Sequence, residues 1–323
     1  MNIHVLCPNE ENKPFGGVRK LYRHVDILRR HGFNAWILHQ TPGFRCTWFQ
    51  NETPVVAMSE LGSHPLPDIL VIPETCGKDL QQLPGRLSKV IFNQNCYYTF
   101  HGYTLDQADL TSPYLAPDVI ATLVVSDDSR NYLQHVFPNQ RIHRIHNAVD
   151  GSLFRFQERK KPRIAFMPRK REDELLQVIN LLKFRGALAD YELAPISDRT
   201  EAEVAAILRE SLLFLSCGHP EGFSLPPAEA MACGCIVVGY HGMGGREYFR
   251  EDFCYPVAVG DIRGFVERVE TVLELHKTNA GILAGMARRA SDFIRREYSP
   301  KREEEDILGF WRGFGDNPSH LSV

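Results

Sequence analysis

No apolar run in this chain of 323 residues approaches the roughly 20 residues that a membrane-crossing helix needs. The opening stretch MNIHVLCPNEEN turns polar after seven residues and lacks the apolar centre of a secretory leader. Charge of one sign is scarcely in excess, since 37 Lys and Arg face 40 Asp and Glu for a net −3. That balance gives no general attraction to nucleic acid or to an anionic membrane. A strongly basic amphipathic helix is also missing, so membrane association is not indicated. The eight cysteines are scattered; only Cys233 and Cys235 are close, with no second pair nearby in sequence to complete a zinc site. Cys7, Cys217 and Cys233 sit in apolar surroundings and read as small buried packing groups, as expected where thiols stay reduced; a cytoplasmic protein is expected. No Asp-x-Asp triplet suited to a divalent metal occurs, and neither metal nor cofactor is expected.

At 43% hydrophobic and 24% charged residues, the chain has the composition of a globular protein with room for two domains of about 150 residues each. NIHVLC is an apolar run, FGG a turn, and VRKLYRHVDILRRHG places Val18, Leu21, Val25 and Leu28 on one helical face before NAWILH. Further apolar runs lie at 68–73, 89–94 and 119–126, and Ser126 is placed to cap the helix SDDSRNYLQHVF. The pattern loses its period after Asn147, ends in a charged Lys-Lys-Pro, and restarts with RIAFMP. Thr200 and Glu203 form a capping box for the next helix. Strands alternating with helices predict α/β architecture: two doubly wound Rossmann-like domains facing a cleft. The expected boundaries are 1–150, a linker at 151–162, a second domain at 163–298, and a last helix over 299–323 that packs back on the first domain.

The most informative stretch is HPEGFSLPPAEAMACGCIVVGY, residues 219–240. Pro226 and Pro227 mark a helix start, where a missing N–H costs nothing. The N–H groups of Phe223, Ser224 and Leu225 just before it form a ready anion site. Glu221 precedes that site and Glu229 follows it about one turn into the helix. A carboxylate beside a phosphate is unfavourable unless it binds something else, and sugar hydroxyls supply the donors that an acceptor-only carboxylate needs. An anion with hydroxyls on both sides describes a nucleotide-sugar.

EGFSLPPAEAMACG resembles the donor motif of retaining glycosyltransferases of the GT-B fold, over some fourteen consecutive positions. The resemblance implies that Glu221 contacts the donor sugar and Glu229 the ribose, with Gly222 and the amides of Phe223, Ser224 and Leu225 at the diphosphate. Arg169 matches the cation that follows the first strand of the second domain in this family. The family's Lys, about five positions later, is replaced by Glu174, so Lys170 or Arg171 would take its place. Gly16 and Gly17 match the N-terminal glycine pair, and HGMGGREYF resembles a second Gly-rich turn with Gly244 and Gly245 at the donor pocket.

On the acceptor side the family often has a His after the strand KVIFNQ; here the position is Asn95, flanked by Gln94, with His101 six residues on. An Asn offers a donor and a carbonyl but accepts no proton near neutral pH. The implied reaction moves a sugar from a nucleoside diphosphate sugar to a hydroxyl of a glycan or small molecule, with retained configuration. The competing expectations are an inactive nucleotide-sugar binder or partner subunit, and an epimerase or hydrolase.

Overall fold

The structure is a computed structural model that describes residues 1–13, 15–77, 87–106 and 111–315. It divides into two compact units, one of residues 1–146 with 303–323 and one of residues 147–302.

The first unit is built on a parallel sheet of seven strands: β1 (Asn2–Leu6), β2 (Asn34–His39), β3 (Val55–Ala57), β4 (Ile69–Pro73), β5 (Ser88–Asn93), β6 (Val119–Val124) and β7 (Ile142–Arg144). Their order across the sheet is β3-β2-β1-β4-β5-β6-β7, so the winding reverses between β1 and β4. In register, Ile3 lies beside Ile69 and Val5 beside Val71. Every residue of β4 is buried, as a central parallel strand covered on both faces requires. Helix α1 (Gly16–Arg30) follows β1 and buries Val18, Leu21, Val25 and Leu28, with Arg29 and Arg30 against the negative end of its dipole. Helix α2 (Asp127–Val136) starts at Ser126, whose hydroxyl accepts the N–H of Ser129.

The second unit carries a five-stranded parallel sheet of β8 (Lys161–Phe166), β9 (Glu192–Pro195), β10 (Ser211–Ser216), β11 (Ile236–Gly239) and β12 (Tyr255–Pro256), ordered β12-β11-β10-β8-β9. Its winding reverses between β8 and β10. Helices α3 (Glu172–Phe184), α4 (Glu201–Glu210), α5 (Leu225–Cys233), α6 (Ile262–Thr278) and α7 (Ala280–Glu297) cover it. Ile164, Leu213, Leu215, Val238, Phe265 and Val269 meet in its core. Helix α4 has the reciprocal cap, with Thr200 Oγ1 accepting the N–H of Glu203 and Glu203 Oε2 accepting that of Thr200.

The expected linker is corrected: residues 147–160 are packed against the second unit, and β8 begins at Lys161. Phe154 is fully buried, and Val149 donates to the Tyr298 carbonyl. Lys160 sends its ammonium to the carbonyls of Leu208, Arg209 and Cys233 at 3.3, 2.8 and 2.8 Å. These carbonyls close α4 and α5, where a cation meets the negative helix ends. The charged run that resembles a solvated connector is therefore partly an internal cap.

The last helix, α8 (Pro300–Gly315), contributes its residues from Glu303 onward to the first unit. Glu303 meets Lys20 of α1 at 2.7 Å with both side chains buried, and Arg23 also contacts its carboxylate. Trp311 Nε1 donates to His24 Nε2 at 2.7 Å, and burial pushes the His24 imidazole down to about 4, which keeps it a neutral acceptor. Among the described residues no helix is long and apolar enough to cross a membrane.

Candidate functional site

The second sheet reverses its winding between β8 and β10, and ligands of open α/β sheets bind beyond the carboxyl ends of strands at such a point. An open recess lies there, lined by Met167, Arg169 and Lys170 after β8, by Ser216 at the end of β10 and by Glu221 and Ser224 beyond it, among others. Arg169 and Lys170 and the Glu-rich stretch, some fifty positions apart in sequence, thus share one surface.

Within it, Lys170 Nζ stands 3.0 Å from Glu221 Oε1 and 3.0 Å from the Pro220 carbonyl, while Arg169 Nη2 is 3.7 Å from the same carboxylate oxygen. Arg169 is more than half exposed, whereas Lys170 and Glu221 are largely covered. Glu221 is fixed through its backbone as well. Its N–H donates to Gly242 O at 2.7 Å and its carbonyl accepts the Gly244 N–H at 3.1 Å. This approach needs a glycine, because a Cβ at Gly244 would lie 1.8 Å from Gly222 O.

Helix α5 begins at Leu225, one residue before the first proline, because Ser224 caps it in a left-handed conformation (φ 65°, ψ 73°). A non-glycine residue there costs about 1–2 kcal/mol and persists when its surroundings over-determine it. They do: the Tyr248 hydroxyl donates to the carbonyls of Phe223 and Ser224, and the Phe223 ring packs on Tyr248 and Tyr298. With those carbonyls held, the amides of Phe223, Ser224 and Leu225 donate to no protein acceptor among the described hydrogen bonds. Met243 (φ 80°) is a second strained position in the same loop pair, and its N–H donates to His241 Nδ1. At the other end of α5, Gly234 (φ 87°) closes the helix where a Cβ would strike the Phe156 ring at 2.8 Å.

Not every candidate faces the recess. Arg171 caps α3 with φ 50° and turns to Glu174, whose other oxygen accepts from the Tyr240 hydroxyl at 2.5 Å. Arg171 is therefore engaged beside the site, not lining it. Glu229 is buried on α5, one turn beyond the amides, at 8% exposure. Gly245 is buried next to the Tyr248 hydroxyl. His219 precedes the motif, and burial first, then the charge of Arg171, holds its imidazole below the ordinary value.

The remaining candidates belong to the first unit. Gly16 and Gly17 open α1, and Gln94 Nε2 donates to the Gly17 carbonyl at 3.1 Å, which ties the end of β5 to the start of α1. Asn95 spends its carbonyl on the Tyr97 N–H at 3.2 Å, capping a short 3-10 turn. His101 is exposed near Tyr98. Tyr248 and Tyr240 support the site, yet no sequence motif singles them out; only their hydroxyl contacts do, Tyr240 through Glu174. Among the described residues no group of three or more His, Cys, Asp or Glu side chains is placed to hold a metal ion.

Residues 194–282 match the family described as "Glycosyl transferases group 1". A curated protein, "Alpha-1,6-glucosyltransferase" of Actinobacillus pleuropneumoniae serotype 7 (strain AP76), is 28% identical over 230 residues, or 68% of this chain and 67% of that one. Among solved structures, Anabaena Alr3699/HepE in complex with UDP superposes with a TM-score of 0.72 at 13% identity, covering 97% of this chain and 100% of that one. Sucrose-phosphate synthase (tll1590) from Thermosynechococcus elongatus superposes with a TM-score of 0.69 at 10% identity, covering 98% and 99% of the two chains. These likenesses establish the fold: two Rossmann-like domains of the GT-B type.

Proposed function

We propose that this chain, which matches the GT-B fold glycosyltransferase family, transfers a hexosyl group from a nucleoside diphosphate sugar to a hydroxyl acceptor with retained configuration. The observation that carries the reading is the convergence of Arg169, Lys170, Glu221 and the unengaged amides of Phe223–Leu225 at one strand-end recess. HepE has been solved with UDP and with UDP-glucose, and the curated relative is a glucosyltransferase, so UDP-glucose is the first donor to try.

In this scheme the diphosphate lies on the α5 amides, with Lys170 and Arg169 drawn from Glu221 toward the oxygens that gain charge. Aimed donors and cations stabilise the departing group without reorganising during the reaction. The anomeric carbon–oxygen bond to the phosphate breaks while the acceptor oxygen bonds to that carbon on the same face. The acceptor's proton passes to the departing diphosphate. Glu221, relieved of its cations, accepts from donor-sugar hydroxyls, and Glu229 from the ribose. No protein nucleophile and no metal ion is called upon.

The test is UDP release from UDP-glucose with and without a glycoside panel, and proton NMR of the product. Acceptor-dependent release with an α-linked product is expected. A β-linked product refutes retention, and UDP binding without turnover favours the inactive binder. That second reading draws on Asn95, whose carbonyl is committed to a local turn.

A further inference from the structure

A trans peptide unit is planar and points its carbonyl and its N–H in opposite directions. Whatever holds the carbonyls of a loop therefore also aims the amides that share their planes. In the loop before α5 the Tyr248 hydroxyl stands 3.2 Å from the Phe223 carbonyl oxygen and also donates to that of Ser224. These two oxygens share their peptide planes with the N–H groups of Ser224 and Leu225, and both peptides are trans. With the carbonyls drawn to the phenol, the two N–H groups are turned away from it. Neither donates to a protein acceptor among the described hydrogen bonds.

Packing places Tyr248 for this contact. It closes the 3-10 turn Gly244–Glu247, is fully buried, and sets its ring against Phe223 and Tyr298 at centroid distances of 5.3 and 5.8 Å. A Cβ at Gly245 would stand 2.9 Å from the hydroxyl oxygen and 3.3 Å from the Phe223 carbonyl, so the phenol reaches the loop only past a glycine. Burial pushes the phenol well above its ordinary range, and the hydroxyl keeps the proton it donates. Ser224 supplies the opposing force. Its φ of 65° is disfavoured for a residue with a Cβ, so the loop relaxes unless it is held. Glycine takes the same conformation at little cost.

We propose that Tyr248 is the positioning residue for the donor diphosphate: by holding the carbonyls of Phe223 and Ser224, its hydroxyl aims the amides of Ser224 and Leu225 at the phosphate oxygens. The inference rests on the transferase reading and adds to it the group that sets the anion-binding amides. With no exposed surface, Tyr248 touches neither sugar nor phosphate and acts through the loop it holds. All of these residues belong to the second unit.

The experiment takes the full chain as wild type, Tyr248→Phe, Ser224→Gly and the double variant, and measures calorimetric affinity for UDP, GDP and ADP. Tyr248→Phe keeps the ring and removes the hydroxyl. It should weaken the tightest-bound diphosphate by about 5- to 30-fold, the scale of one hydrogen bond. Adding Ser224→Gly should recover most of that loss, because glycine holds the left-handed turn without support. Ser224→Gly alone should bind as the wild type does. If Tyr248→Phe fails to fold, Gly245→Ala, which drives a methyl against the hydroxyl, is the second variant, with the same loss and the same rescue expected. Unchanged affinity in the folded variant overturns the proposal and leaves the transferase reading standing. So does a loss that Ser224→Gly leaves in place, which marks a hydroxyl serving stability alone. A wild type that binds none of the three diphosphates overturns the transferase reading itself, and this inference with it.

Discussion

Lys170 joins two successive residues of the loop after β10 through one ammonium group, its Nζ lying 3.0 Å from Glu221 Oε1 and 3.0 Å from Pro220 O. Lys170→Ala should lower kcat for sugar release by roughly 100- to 1,000-fold, as removal of one donor to a developing oxyanion does. Lys170→Arg should recover part of the rate. Steady-state UDP release checks both, and an unchanged kcat in Lys170→Ala would leave Arg169 as the sole cation of the scheme.

Glu229 is nearly inaccessible, one turn into α5. If it accepts from a ribose hydroxyl, Glu229→Ala should weaken UDP binding by about 1.5–3 kcal/mol, the range of a hydrogen bond to a charged group. Calorimetry with UDP and with uridine-free pyrophosphate separates the ribose from the phosphates. Only the first affinity should fall.

Lys160 closes two helices at once, and desolvation lowers its ammonium pKa. Lys160→Met keeps the length of the stem but leaves the three carbonyls without this donor. The expected loss is about 3 kcal/mol of unfolding free energy, read from the urea midpoint. A midpoint within error of the wild type would mean that water replaces the ammonium at little cost.

The pH dependence of stability should carry the imprint of Glu74. Burial raises its carboxyl from the ordinary 4.5 to about 7, so between these values the folded chain holds a proton that the unfolded chain has released. That contribution is full below the lower value and lost as pH rises through the upper one. Glu74→Gln has no such loss, so its stability relative to the wild type should rise by up to about 3 kcal/mol between roughly pH 4 and pH 8. Paired unfolding curves at the two ends measure the difference. Equal curves would place the carboxyl near its ordinary value in the folded chain.

Much of this architecture can be read from local pattern. The α1 stripe, the Ser126 cap and the Thr200–Glu203 box are short-range features, and the structure forms each where the spacing puts it. Helix α5 starts one residue ahead of its prolines because the left-handed Ser224 is held from outside by Tyr248, a contact 24 positions away. Long-range effects account for the other departures too. The run ending in Lys160 resembles a solvated linker until α4 and α5 bring three carbonyls around its ammonium. Arg171 resembles a phosphate ligand until Glu174, whose other oxygen is held by the Tyr240 hydroxyl, engages it.

The route by which α8 returns to α1 has a consequence for synthesis. Residues 147–302 form an unbroken stretch, whereas the other unit needs Glu303, Asp306 and Trp311 from the far end of the chain. Domains usually mature in the order of translation. Here the half that emerges first must wait for Glu303 before Lys20 acquires this counter-ion, so residues 147–302 are made while their elder neighbour still lacks its last helix.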